Sequence, residues 1–299
     1  LATNSKNPCQ LYKKGPDRYD NLHRRLLQSD TALEQDMTTR DDLGDRMKHS
    51  YENRTRYLLP RRSYTLIRVD GKSFHTYTRH CARPCDLDLM ADMDQTAMAM
   101  CREIEGAKLA FVQSDEISLL LTDFATIHTG AWFDGCLQKM CSLSAAIATA
   151  HFNRLRSIRN PGALEQTPAC FDSRVFQIPD PTEVYNYFLW RQQDAARNSI
   201  QMTARAYFSH AELDGVTCNQ AQEKLMTEKS VNWNDMPAGF KRGRCITYER
   251  TLQQVEYHDK RTGDLKTAEG VQRGVWSSVV PPIFSQQPEW LMSRIPLYS

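Results

Sequence analysis

The chain is 299 residues long, 40% hydrophobic and 25% charged, with a formal net charge of +2. That composition predicts a folded, soluble protein with one large core or two modest ones, and a charge this near balance does not by itself point to nucleic acid. No run approaches the roughly 18 apolar residues of a membrane span and no signal-peptide core follows the N terminus, so a cytoplasmic protein without a membrane partner is expected. The nine cysteines lack zinc-type paired spacing, Cys81 and Cys85 standing alone, and are read as reduced thiols.

In chain order, residues 1–40 read as a polar extension, with Leu22, Leu26 and Leu33 spaced for a single helix. Arg54, Arg56, Arg61, Arg62 and Arg68 then cluster as a patch that would suit a phosphate backbone. The β-branched, apolar run Tyr64–Val69 predicts a strand that ends at Asp70 and turns through Gly71. Gly71-Lys72-Ser73 resembles the end of a P-loop, but the glycine required five positions before Gly71 is Leu66. An acidic group at a strand end is what remains.

From Asp86 to Glu105, Leu87, Met90, Ala97, Cys101 and Ile104 recur at helical spacing. Leu109–Gln113 and Ile117–Thr122 flank Ser114-Asp115-Glu116 and predict a hairpin with an acidic tip. A helix over Trp132–Phe152, a loop over Arg154–Thr167 and a strand in "ACFDSRVFQIP" follow. A long helix over Pro181–Ser209 would bury Val184, Phe188, Ala195, Met202 and Ala206. Beyond it, Leu213–Arg250 combines cations with Trp233, a composition suited to an RNA end. A last hairpin, "RCITYER" and "QQVEYHDK" turning at Thr262-Gly263 into "DLKTAEG", precedes a proline-rich, irregular tail.

The order strand, helix, strand, strand, helix, strand predicts an α+β, ferredoxin-like palm domain with an antiparallel sheet and flanking helices, over residues 41–180. Residues 181–299 are expected to add smaller helical and hairpin elements that contribute to RNA binding. In this topology strands one and three are neighbours, so Asp70 and Asp115 converge at one sheet edge. Two carboxylates there suit a pair of magnesium ions, because hard cations take oxygen ligands and leave positions open for phosphates.

The motifs "RVDGKSFHTYTR", "QSDEISLLL", "FDSRVF", "YFLWRQQDAARNSI" and "VNWNDMPAGFKRGR" resemble the tRNA-histidine guanylyltransferase family over about Asp41 to Arg250, in the family's order and spacing. The resemblance implies a polymerase-like palm enzyme that extends RNA 3′ to 5′, with ATP and GTP as substrates, tRNA as partner and a homo-tetramer as assembly. It implies Asp70, the carbonyl of Gly71 and Asp115 as ligands of two Mg2+ ions, and Glu116 as the neighbouring catalytic acid. It assigns Asp70, Gly71, Lys72, Ser73, Phe74, His75, Ser114 and Asp115 to nucleotide binding. Asn198, Lys229, Lys241 and Arg242 are expected at the RNA.

The narrow guanylyltransferases carry a His-Ile-Asn-Asn signature where this chain has Ala196-Arg197-Asn198-Ser199. Ala196 has no side-chain hydrogen-bonding group, and sequences lacking the signature are similar to the family's template-dependent tRNA repair branch. That branch is therefore favoured over strict guanosine addition to histidine tRNA. A nucleotide cyclase with the same palm geometry and an RNA-binding module with a degenerate site are the alternatives.

Overall fold

A computed structural model describes residues 41–160 and 167–298. They fall into two units divided between Thr55 and Arg56. The first contains helix α1, Asp42–Ser50, which opens on Asp41 accepting from the Gly44 amide at 2.9 Å. The expected helix through Leu22, Leu26 and Leu33, and the turn at Pro161-Gly162, lie outside the described residues.

In the second unit, β1 (Tyr64–Gly71) is apolar on both faces until its last turn of chain. Tyr64 and Leu66 join one core cluster and Ile67 and Val69 the other, so the strand must be covered on both sides. β2 (Ala107–Gln113) and β3 (Glu116–Leu121) form the expected hairpin, and β4 (Phe171–Ile178) pairs with β1. The six-stranded antiparallel sheet runs β4-β1-β3-β2-β5-β6, its first four strands in ferredoxin-like order. β5 (Arg244–His258) and β6 (Leu265–Val279) extend this same sheet from β2.

One face is covered by α3 (Leu87–Glu103) and α4 (Leu137–Arg159), which follow the short helix α2, Phe74–Tyr77. The apolar stripe of α3 is Met93, Ala97, Met100 and Cys101, whereas Leu87, in its first turn, is exposed. α4 starts later than the sequence suggests, because Phe133 and Asp134 take positive φ values of 48° and 53° before it. It also continues through the predicted loop as far as Arg159. Arg156 and Arg159 reach back to the buried Asp92 of α3 at 3.0 and 2.9 Å, and that pairing holds the last turn.

The opposite face is covered by α5 (Pro181–Tyr207), entered through Asp180, whose carboxylate accepts from the amides of Thr182 and Glu183. Its buried stripe is Val184, Phe188, Ala195, Ile200 and Ala204; Met202, expected inside, is exposed. The two short helices α6 (Cys218–Lys229) and α7 (Ala238–Arg242) pack on α5. The tail read as irregular contains a further short helix, α8 (Pro288–Met292), and its Phe284, Leu291 and Ile295 belong to the core between α5 and the sheet. Among the described residues no helix is long and apolar enough to cross a membrane, and eight cysteines are free thiols.

Candidate active site

Register brings the predicted acidic groups together. Asp70 of β1 faces Glu116 of β3, and Asp115 occupies the turn just before Glu116. The turn is tight: Ser114 sits at φ 45°, and the Gly71 amide donates to the Asp115 carbonyl at 3.2 Å. Gly71 is required there, because a Cβ would stand 2.3 Å from the Phe74 ring and 3.0 Å from Asp115 Oδ2. A side chain at this position would push the two acidic segments apart.

Burial, then the neighbouring Asp172, pushes Asp70 above the ordinary carboxylate range. Burial and then the charge of Asp70 push Asp115 up to about 6. Two carboxylates crowded in this way form the donor set that a hard cation relieves. Among the described residues no group of three or more His, Cys, Asp or Glu side chains gathers as a metal site. The expected set, two carboxylates and one carbonyl, would be completed by phosphate oxygens.

Glu116 has a different place. Its oxygens accept from Arg191 Nε at 2.8 Å and Arg191 Nη2 at 2.7 Å, both residues buried on the α5 face. Glu116, expected as the neighbouring catalytic acid, is thus held by a guanidinium fork that anchors α5 to β3. Asp194 takes a second bond from Arg191 Nη2 at 2.7 Å.

Two cavities meet at Asp115. The larger, about 480 Å³, runs from Gly71, Ser73 and His75 past the 81–90 segment to Arg205, Phe240 and Arg244. The smaller, about 290 Å³, opens between Arg68, Asp70, Glu116, Arg191 and Asp194. Gln113, Ser114, Asp115 and Asn198 wall both.

The predicted nucleotide residues divide between these spaces and the core. Ser73, His75 and Ser114 are exposed at the cavity wall. Lys72 is exposed, but its amide is used by the Cys170 carbonyl at 2.8 Å, so only its ammonium remains for a phosphate. Phe74, expected against a ribose or base, is buried with Tyr77, Phe152 and Phe171 and also lines the cavity.

Of the predicted RNA residues, Asn198 lies at the junction of the cavities, its amide on Asp194 at 3.3 Å. Lys229 is exposed, over the Phe208 ring at 5.2 Å. Lys241 is only 9% exposed; its ammonium donates to the Asn234 carbonyl and lies over Trp233, so that charge is spent inside the fold. Arg242 is half-buried, with Nε enclosed. Two further arginines are paired within the fold: Arg61 binds Asp123 at 2.8 Å and Arg244 binds Asp94 at 2.6 Å.

Sequence reasoning missed Arg191 and Gln113. A signal for Arg191 existed, since it falls three residues after Phe188 and four before Ala195, on the apolar stripe of a long helix. A charge there demands a buried partner.

A palm-type sheet with paired carboxylates at the end of β1 and before β3, beside a cleft of nucleotide size, defines a nucleotidyl-transfer fold. Residues 44–179 match the family described as tRNAHis guanylyltransferase (Thg1). The chain is similar to a bacterial tRNA(His) guanylyltransferase (Thg1)-like protein solved in complex with ATP, with 41% identity and a TM-score of 0.72, covering 85% of this chain and 100% of that one. A bacterial Thg1-like structure in complex with GTP gives 39% identity and a TM-score of 0.68 over 86% and 100%. The tRNA(His) guanylyltransferase of Saccharomyces cerevisiae is 27% identical over 208 residues, 64% of this chain and 85% of that protein. The chain belongs to the Thg1 family, and is a tRNA(His) guanylyltransferase-like nucleotidyltransferase of tRNA processing.

Proposed function

We propose that the protein adds nucleotides to the 5′ end of tRNA in the 3′-to-5′ direction, repairing truncated ends against the opposite strand. The observation that carries this reading is the meeting of two cavities at Asp115: a transferase needs its nucleotide and its RNA end on either side of one site. ATP and GTP, the nucleotides in the complexes of the two similar structures, fit the larger cavity with the triphosphate toward Gly71 and Ser73. The RNA end enters the smaller one, where Arg68 supplies positive charge beside the carboxylates.

Asp70, Asp115 and the carbonyl of Gly71 would hold magnesium. When bound, the metal lowers the pKa of a hydroxyl and neutralises phosphate charge. The chain itself orients the reactants. The 3′-hydroxyl oxygen of the incoming nucleotide attacks the activated 5′ α-phosphorus of the RNA. One phosphorus–oxygen bond forms, the bond to the leaving pyrophosphate or AMP breaks, and the hydroxyl proton passes to water. Arg191 keeps Glu116, and with it the Asp115 turn, in register with β1.

The preference for repair rests on Ala196, which offers no polar group where the narrow guanylyltransferases have histidine, beside an Asn198 already engaged by Asp194. The test supplies purified protein with magnesium, ATP and labelled GTP, and either full-length histidine tRNA or another tRNA lacking its first nucleotide. Extension mainly of the truncated tRNA is expected. Extension of histidine tRNA alone would make the protein a guanylyltransferase in the narrow sense.

A further inference from the structure

Past the smaller cavity, the sheet face under α5 continues to the edge strand β4. Phe176 of β4 packs into the core beneath α5, so Arg174 and Asp172, in step with it along the strand, lie on that same face. Arg174 stands opposite Arg68, which walls the cavity, and Asp172 stands opposite Asp70. Like charges directly opposed across two strands disfavour the pairing. The contact of Arg174 with Asp172, at 4.0 Å between side chains that are both more than half exposed, offsets little of that cost. The sheet edge thus carries two arginines side by side, one in the cavity and one open to solvent.

α5 sets an aromatic ring beside them. Tyr187 Oη meets Ser118 Oγ at 2.8 Å, and Arg191 donates to Glu116. Ser118 and Glu116 are the β3 partners of Arg68 and Asp70. The helical turn from Tyr187 to Arg191 therefore stands level with Arg68 and Asp70, and with Arg174 and Asp172 beyond them. Trp190 belongs to that turn. Its ring lies 5.9 Å from Tyr187, which lies 5.6 Å from Phe176, and this chain of rings puts it on the β4 side of the helix. The Arg191 guanidinium, fixed by Glu116 and Asp194, lies 4.3 Å from the indole and holds it, yet Trp190 remains 45% exposed.

Resting on the nucleotide-transfer reading above, we infer that Trp190 and Arg174 receive the RNA end: the indole stacks on an unpaired base of the strand opposite the 5′ gap, and Arg174 meets a phosphate of that strand. An aromatic face with a cation beside it is the means by which proteins hold single-stranded RNA. Every base has a π-face, so the contact is indifferent to sequence. Stacking also leaves the pairing edge of the base open. Addition against an opposite strand needs both properties, because the template base must be held without being read by the protein. The 5′-terminal base is already paired in the stem, whereas the base opposite the gap has a face to offer.

The experiment uses the full chain with magnesium and a tRNA lacking its first nucleotide, labelled with 2-aminopurine either opposite the gap or at the 5′-terminal position. The fluorescence of 2-aminopurine falls when the base stacks. With the native protein, binding should quench the label opposite the gap. Trp190→Ala should abolish that quench and raise the KM for the tRNA roughly tenfold, the loss of about one base stack, with ATP binding unchanged. Trp190→Phe, which keeps a smaller ring, should restore most of the quench and of the KM. Arg174→Ala should weaken tRNA binding and lower its salt slope by about one. A quench that survives in Trp190→Ala, or one seen only at the 5′-terminal label, overturns the assignment. So does a Trp190→Ala variant that loses ATP binding along with tRNA, since the indole would then only support the fold. Failure of the native protein to bind the tRNA at all would instead overturn the underlying nucleotide-transfer reading.

Discussion

Asp115 and Glu116 are adjacent in sequence, yet the fold gives them opposite work. Asp115 stands in a turn between two cavities, raised by burial and by Asp70, while Glu116 is closed into a guanidinium fork. Asp115→Asn removes one of the three groups proposed to hold magnesium and should lower nucleotide transfer by at least about a hundredfold, about 3 kcal/mol of transition-state stabilisation. The fold should persist, which circular dichroism beside a steady-state assay would check; retained activity would rule the residue out as a ligand. Arg191→Met should act the other way round. It leaves the Glu116 carboxylate buried and unpaired, so a loss of about 3–5 kcal/mol in urea unfolding is expected. A variant as stable as the parent would show that the pair is dispensable.

The elements that sequence reveals are those whose side chains repeat. β1 and the β2–β3 hairpin were legible because β-branched and apolar runs stop at Asp70 and at Ser114-Asp115, and topology then placed those stops side by side. The end of α4 was not legible, since Arg156 and Arg159 look like loop residues until Asp92 appears opposite them. The setting of Lys241 was not legible for the same reason: a cation's partner, here the Asn234 carbonyl, is invisible in a one-dimensional pattern. α3 carries a prediction of this scale. Asp86 caps it, accepting from the Leu89 amide at 2.8 Å and the Ala82 amide at 3.0 Å, and so also shapes the 81–90 wall of the cleft. Burial raises its pKa, but those amides, with the Arg156 charge and the Cys81 thiol, together outweigh burial and hold it below the usual aspartate value. A carboxylate so lowered stabilises the fold above the unfolded pKa near 4, and that stability is lost as pH falls through the lower folded pKa. Asp86→Ala should therefore cost about 1 kcal/mol at pH 7, and the difference from the parent should shrink on acidification below about pH 4. A penalty unchanged at pH 3 would mean that the cap does not act through its charge.

At the scale of the molecule, the β5–β6 hairpin separates into a built-in base and a free arm. β5 pairs with β2 only from Arg244 to Thr247, while its pairing with β6 continues to His258 and Leu265. Beyond Tyr248 the side chains are largely exposed, Leu252 at 74%, and a two-stranded ribbon on its own is marginal in water. The base has the opposite character: Cys245 and Ile246 are fully buried in the two cores, and Arg244 anchors to α3. The core therefore does not depend on the arm. Glu249 and Val275 are register partners, so replacing residues 250–274 by an Asn-Gly turn closes the ribbon just above Tyr248. The shortened protein should unfold in one cooperative transition within a few degrees of the parent, and ATP should bind with unchanged affinity, as followed by thermal melts and titration. If ATP binding fell in a variant that still melted cooperatively, the arm would have to reach the cleft, and the division into base and arm would be wrong. If instead both measurements matched the parent while tRNA extension dropped, the arm's exposed residues would serve the RNA and leave the nucleotide to the palm.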